Sequence, residues 1–166
     1  MILYIVRHAI AVPHGTPGVA EDDRPLTPDG IKKMKKAAAG LKALNVAPDI
    51  IFTSPLPRAE QTAKIVAAAL GSGIRLQILP SLAPSGKRSD IYREIQAHEE
   101  AESVMLVGHE PSLGEIAGEI AWGSAKHNLE FKKGGACAID LVSLWPAPRG
   151  TLLWLLTPAI LRQIST

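Results

Sequence analysis

Residues 2–8 read ILYIVRH and residues 103–109 read SVMLVGH. Each is a continuous apolar run of β-forming residues that closes on a histidine. Runs of this kind suit strands covered on both faces, as in a parallel sheet. The second run leads at once into EPSLGEIAGEI, whose Leu113, Ile116 and Ile120 recur at helical spacing. The first leads instead into a long loop, residues 9–26, punctuated by Pro13, Gly15, Pro17, Gly18 and Pro25. A loop of that length in a compact domain is commonly functional.

Outward from these two runs the same alternation continues. LTPDGIKKMKKAAAGLKALNV offers Thr27 as a helix N-cap, Pro28 at the first helical position and Asp29 at the positive end of the helix dipole. Ile31, Met34, Ala38, Leu41 and Leu44 then predict one apolar stripe. DIIFT (49–53) reads as a second buried strand, PRAEQTAKIVAAAL (57–70) as a helix stopped by Gly71, and IRLQIL (74–79) as a third strand. A helix follows over residues 88–99, with Ile91 and Ile95 on one side, and residues 136–145 and 151–157 flank PAPRG as a β-hairpin. The alternation predicts a three-layer α/β/α sandwich with a mostly parallel central sheet, antiparallel only at its last hairpin, in one domain over residues 1–166.

The chain is 46% hydrophobic and 20% charged, as an ordinary globular protein is, and its net charge of +2 is too mild to suggest nucleic acid or a membrane surface as partner. Lys32, Lys33, Lys35 and Lys36 fall around the polar side of their helix, as a solvated face or as a docking surface for an acidic partner. The single cysteine, Cys137, excludes an intramolecular disulfide and any cysteine-based metal cluster, and its apolar surroundings read as a buried thiol. No basic residue precedes the apolar opening, as a secretory signal would require, and no apolar run approaches the ~18 residues of a membrane span. The expectation is a cytoplasmic protein, with its oligomeric state left open.

In open α/β sheets ligands bind where strands end and loops enter helices. Arg7-His8 ends the first strand, Arg58 begins the helix after the second, and His109 ends the fourth. Two arginines and two histidines there would make a pocket for a dianion, because guanidinium groups fork onto phosphate oxygens and helix N-termini add oriented N–H groups. Thr53-Ser54-Pro55 and Pro111-Ser112 are suitable helix starts for the latter task. A neutral imidazole has an unprotonated nitrogen near pH 7 and can act as a nucleophile. The chemistry indicated is phosphoryl transfer through a phosphohistidine. Each residue alone has a plain structural reading; their joint placement carries the inference.

These residues resemble the histidine phosphatase (phosphoglycerate mutase-like) superfamily. Arg7-His8 after an N-terminal strand is similar to its Arg-His-Gly signature, and the likeness continues through RPLTPDG, TSPLPRAEQTA and VGHEPSL, in order over nearly the whole chain. The short length and these wordings resemble the SixA-type phosphohistidine phosphatases. The resemblance implies a phosphoglycerate mutase-like fold, His8 as the nucleophile, and Arg7, Arg58 and His109 as ligands of the phosphoryl oxygens. It implies no metal and no other cofactor. His109 would have to be protonated to help, which burial beside two arginines opposes.

The chain departs from the family in two places. Ala9 stands where the signature has glycine, and Ser81 stands where ester-cleaving members carry a glutamate acid. An alkoxide leaving group needs a proton donor, whereas the imidazole of a phosphohistidine departs far more easily. Asp22, Asp23 and Glu110 are the remaining candidate acids, and each also reads as a solvated loop or helix-cap carboxylate. His14, His98 and His127 receive no role, although His14 is near enough in sequence to reach a pocket rim. The chain has little room between residues 80 and 103 for the long insertion that covers the site in mutases, so an open site would admit a phosphohistidine-bearing protein domain as substrate and partner. The expected function is therefore a cofactor-free phosphohistidine phosphatase. A phosphatase of small phosphate monoesters and a catalytically weak phosphate-binding module are the alternatives.

Overall fold

The computed structural model describes residues 1–165. Its strands are β1 (Ile2–Arg7), β2 (Ile50–Thr53), β3 (Arg75–Ile78), β4 (Ser103–Gly108), β5 (Ala136–Ser143) and β6 (Arg149–Leu156). Its helices are α1 (Pro28–Ala43), α2 (Pro57–Leu70), α3 (Arg88–Gln96), α4 (Ser112–Trp122) and α5 (Pro158–Ile164), with single 3₁₀ turns at Glu21–Asp23 and Pro80–Leu82. The strands form one sheet in the order β3-β2-β4-β1-β5-β6. Neighbours from β3 to β1 run parallel, whereas β5 is antiparallel to both β1 and β6.

Period-two alternation sends each central strand into both faces of the sheet. Leu3, Ile5, Ile50, Phe52, Val104 and Leu106 pack with Ile91 and Ile95 of α3 and Leu113, Ile116 and Ile120 of α4. Val6, Ile51, Met105 and Val107 pack on the opposite face with Met34 and Leu41 of α1, Ala63 and Val66 of α2 and Leu161 of α5. The result is the expected α/β/α sandwich. Cys137 is fully buried within the first of these cores.

α1 begins as its sequence dictates, with the Gly30 N–H donating to Thr27 Oγ1 at 2.9 Å and Pro28 in the first turn. The Ile10 carbonyl lies so close to the Gly30 Cα that any Cβ there would collide with it. Thr27 N–H donates to that same carbonyl at 3.0 Å, and Ala11 bridges Leu26, which pins the base of the 9–26 loop against α1. The expected α1 stripe holds at Met34, Ala38 and Leu41, but Leu44 is partly exposed, because the helix ends there and Asn45 turns the chain at φ 57°. Lys32, Lys33, Lys35 and Lys36 are all exposed, and Lys33 pairs with Asp29 at 2.7 Å.

Several boundaries differ from expectation, those of β2 and β3 by a single residue. α3 stops at Gln96, and the hairpin strands are Ala136–Ser143 and Arg149–Leu156. α5 is an element the sequence pattern did not announce, being only seven residues long. Its start repeats the α1 device, with Pro158 in the first turn and the Ile160 N–H donating to Thr157 Oγ1 at 3.4 Å.

Candidate active site

Strand pairing brings the expected residues together. Arg7 stands opposite Gly108 in the β1–β4 register, and the His8 N–H donates to the Gly108 carbonyl at 3.0 Å. The Ser54 N–H donates to the Val107 carbonyl at 3.0 Å, so the β2 end lies beside the same edge. α2 starts three residues later, and its first turn carries Arg58.

His8 is 6% exposed. Its Nδ1 lies 2.7 Å from the Ala9 carbonyl oxygen, and since a carbonyl only accepts, Nδ1 carries the proton. The lone pair of Nε2 is thereby left free. Burial pushes the His8 pKa down to about 3, with the charges of His109, Arg58 and Arg7 adding to the effect and the Ala9 contact opposing it. The imidazole is therefore neutral at pH 7. Its ring centroid lies 5.1 Å from that of His109, with the planes tilted by 54°.

The residues whose charges act on His8 carry buried polar atoms that lack protein partners. Arg7 Nη1 donates to the Phe131 carbonyl at 2.6 Å, leaving Nε buried and unpaired. Arg58 is 4% exposed; its Nη1 donates to the Glu21 carbonyl at 3.0 Å, and its Nε is also unpaired. His109, equally buried, has Nε2 at 2.8 Å from Ser54 Oγ and no partner for Nδ1. Burial, then the guanidinium charges of Arg58, Arg24 and Arg7, push the His109 pKa down to about 4. Unpaired buried polar atoms are rare in folded proteins, and these three belong to residues whose charges act on His8.

The surrounding contacts hold this constellation rigid. Thr62, wholly buried in α2, accepts from the Ala9 N–H at 3.0 Å and donates to the Arg58 carbonyl at 2.7 Å. The Gly134 N–H is shared between the carbonyls of Arg7 and His8, 3.1 Å from each. Glu110 Oε1 accepts from the Phe131 N–H at 3.2 Å, so the residue that takes Arg7 on its carbonyl is fixed through its amide. Burial raises the Glu110 pKa, opposed first by that bond to Phe131. Asp22 and Asp23 sit exposed in the Glu21–Asp23 turn, where the negative charge of Asp22 acts on Arg58. Ser81 lies in the turn after β3, its Oγ buried without a partner. A cleft of about 420 Å³ lined by Lys87, Arg88, His109, Glu110 and Ser112 opens beside His109.

The profile of the histidine phosphatase superfamily (branch 1) matches residues 3–120. The chain belongs to this superfamily. An uncharacterized protein of Picosynechococcus sp. (strain ATCC 27264 / PCC 7002 / PR-6) is 43% identical over 138 residues, covering 81% of this chain and 82% of that protein. The phosphohistidine phosphatase SixA of Escherichia coli (strain K12) is 29% identical over 165 residues, 98% of each chain. A structure of the protein histidine phosphatase SixA complexed with tungstate superposes with TM-score 0.84 at 28% identity, over 97% of this chain and 99% of that one. A phosphoglycerate mutase of Bacillus anthracis str. Sterne, 14% identical with TM-score 0.70 over 100% of this chain and 97% of its own, shares the fold. This histidine phosphatase thus has the phosphoglycerate mutase-like fold, and its class of chemistry is that of a phosphatase.

Several members of the site escaped the sequence reading. Arg24 is pinned by its Nη1 to the Val12 carbonyl at 2.9 Å and by its Nη2 to Glu21 Oε1 at 2.6 Å, near enough for its charge to act on Arg58 and His109. Glu21 is the hub of that loop, bonding Arg24 and His14 through its carboxylate and Arg58 through its carbonyl. Arg24 first, then His14, hold the Glu21 carboxyl well below the usual range. The RPLTPDG stretch contained the arginine, but nothing local showed where it would point. Ala9 is accommodated: Asn45 is the sole non-glycine residue at positive φ among the described residues, and the Ala9 methyl is buried beside Val6 and Met34.

Proposed function

We propose that this histidine phosphatase removes the phosphoryl group from phosphohistidine on a protein, through a covalent intermediate at His8. The observation that carries the reading is the free, unprotonated Nε2 of a buried His8, whose ring lies 5.1 Å from that of His109, together with three buried polar atoms that lack protein partners, Arg7 Nε, Arg58 Nε and His109 Nδ1, on residues whose charges act on His8. His8 Nε2 attacks phosphorus while the bond from phosphorus to the substrate imidazole breaks; that bond's electron pair stays with the departing ring, which leaves as neutral imidazole because its other nitrogen has taken a proton from solvent. Arg7, Arg58 and His109 hold the equatorial oxygens and offset the charge they carry, the role that a metal ion fills in many other phosphoryl-transfer sites. Water then cleaves the phosphoenzyme, returning His8 and releasing phosphate.

The leaving group supports the substrate class. Ser81 supplies no acid where ester-cleaving members hold a glutamate, and an imidazole needs less help to depart than an alkoxide. Glu110, the nearest carboxyl to the histidine pair in sequence, is turned to the Phe131 N–H, which suits a structural clamp. Between Ile78 and Ser103 the chain makes only the Pro80–Leu82 turn and α3, which suits a site open to a protein-borne phosphohistidine. The likeness to SixA over nearly the full chain, including one structure holding the oxyanion tungstate, points the same way.

Phosphate release from a phosphohistidine-bearing protein domain, with a simple phosphate monoester in parallel, tests the reading. Rapid release from the domain, abolished in His8→Gln, is expected. Turnover of the monoester alone would replace the substrate, and binding of phosphate without turnover of either would make the protein a binding module.

A further inference from the structure

We propose that Ser54 is a positioning residue that holds His109 as a neutral imidazole with its proton on Nδ1, so that His109 donates to the phosphoryl group without becoming a cation. The inference rests on the phosphatase reading above and deepens it.

Ser54 is wholly buried, immediately after β2, and its hydroxyl has one proton to donate and two lone pairs. Oγ accepts from the Leu56 N–H at 3.3 Å, and His109 Nε2 lies 2.8 Å away. Among the described residues the hydroxyl has no other partner. If Nε2 carried the proton and donated to Oγ, the serine proton would have no acceptor among the described residues, and the Nδ1 lone pair would remain for an anion it repels. If the hydroxyl donates to Nε2, each of these protons has an acceptor once substrate binds, and Nδ1–H is left for the incoming oxyanion. That atom is the buried nitrogen of His109 that has no hydrogen-bond partner in the protein.

This arrangement removes the difficulty set by the sequence. A cationic His109 is opposed by burial and by the charges of Arg58, Arg24 and Arg7, whereas a neutral donor is not. The two histidines then share one tautomer and present opposite ends. Ala9 keeps the proton of His8 on Nδ1 and frees Nε2 to attack; Ser54 occupies Nε2 of His109 and frees Nδ1–H to donate.

The test is long-range ¹H–¹⁵N correlation on the full chain labelled with ¹⁵N-histidine, with the His109 signals assigned by their loss in His109→Gln. The wild type is expected to show His109 protonated on Nδ1 alone at pH 7. Ser54→Ala should lose that preference and lower kcat by about a hundredfold, the order of losing one oxyanion donor, with KM little changed. Ser54→Thr, which keeps the hydroxyl, should restore both spectrum and rate. A wild-type His109 protonated on Nε2, or doubly protonated, overturns the proposal whatever the activity. Ser54→Ala with an unchanged spectrum or an unchanged rate overturns it too. Failure of the phosphatase reading would show separately, as a wild type that turns over neither phosphohistidine nor monoester.

Discussion

Thr62→Val removes one hydroxyl from the wall of the site and keeps the shape of the side chain. Thr62 is wholly buried, and its hydroxyl accepts the Ala9 N–H at 3.0 Å while donating to the Arg58 carbonyl at 2.7 Å. Valine leaves that amide buried without an acceptor, a defect that costs roughly 1–3 kcal/mol. Thr62→Ser keeps the hydroxyl and loses a methyl, which costs about 1 kcal/mol. Urea unfolding should therefore show valine as the more damaging variant, by about 2 kcal/mol against wild type. In a chain of 166 residues this corresponds to a fall in Tm of roughly 4–8 °C. Because Ala9 adjoins the nucleophile and also holds its Nδ1 proton, kcat should fall about tenfold in the valine variant and little in the serine one. A valine variant within about 0.5 kcal/mol of wild type, or more stable than the serine variant, would refute the hydrogen-bond assignment.

His8 and His109 have pKa values lowered to about 3 and about 4, so the unfolded chain, near 6.5, binds protons that the folded chain does not. Stability should therefore be full above about pH 6.5 and fall as the pH drops toward 4, by roughly 3–5 kcal/mol between pH 7.5 and 4.5, a loss that His8→Gln with His109→Gln should largely erase in denaturation at each pH. Glu110→Gln keeps an acceptor for the Phe131 N–H and should leave kcat within roughly threefold; a loss above about a hundredfold would make Glu110 a general acid instead. Ser81→Glu places a carboxyl in the turn after β3 and should raise monoester turnover about tenfold, and no gain would count against the leaving-group argument.

What the sequence disclosed and what it hid follow from the range of the forces involved. β1, β2 and β4 were legible because double-sided burial writes itself as an unbroken apolar run, and α1 because its cap, proline and stripe all lie within one segment. Arg7, His8, Arg58 and His109 were legible because the rule on strand ends needs only the order of elements. The roles of Arg24 and Glu21 depend on how an irregular loop folds back on itself, and no periodicity reports that. Thr62 left a faint sign, a lone hydroxyl among Ala59, Ala63 and Val66 on the buried face of α2. The sequence marks Ser54 only as a helix start offering backbone N–H groups, whereas its hydroxyl lies 2.8 Å from His109 Nε2, a contact across 55 residues that no local pattern reports. α5 was hidden by its length, although its Thr157-Pro158 start matches the Thr27-Pro28 start of α1.

The central claim is the covalent intermediate on His8. The direct measurement is to mix the protein with a phosphohistidine-bearing domain, quench in alkali within a single turnover, and locate the phosphoryl group by mass spectrometry of the peptides. The account predicts one phosphoryl group, on His8, formed before phosphate appears in solution and absent in His8→Gln. Turnover without a phosphoenzyme, or with the phosphoryl group on another residue, would contradict it.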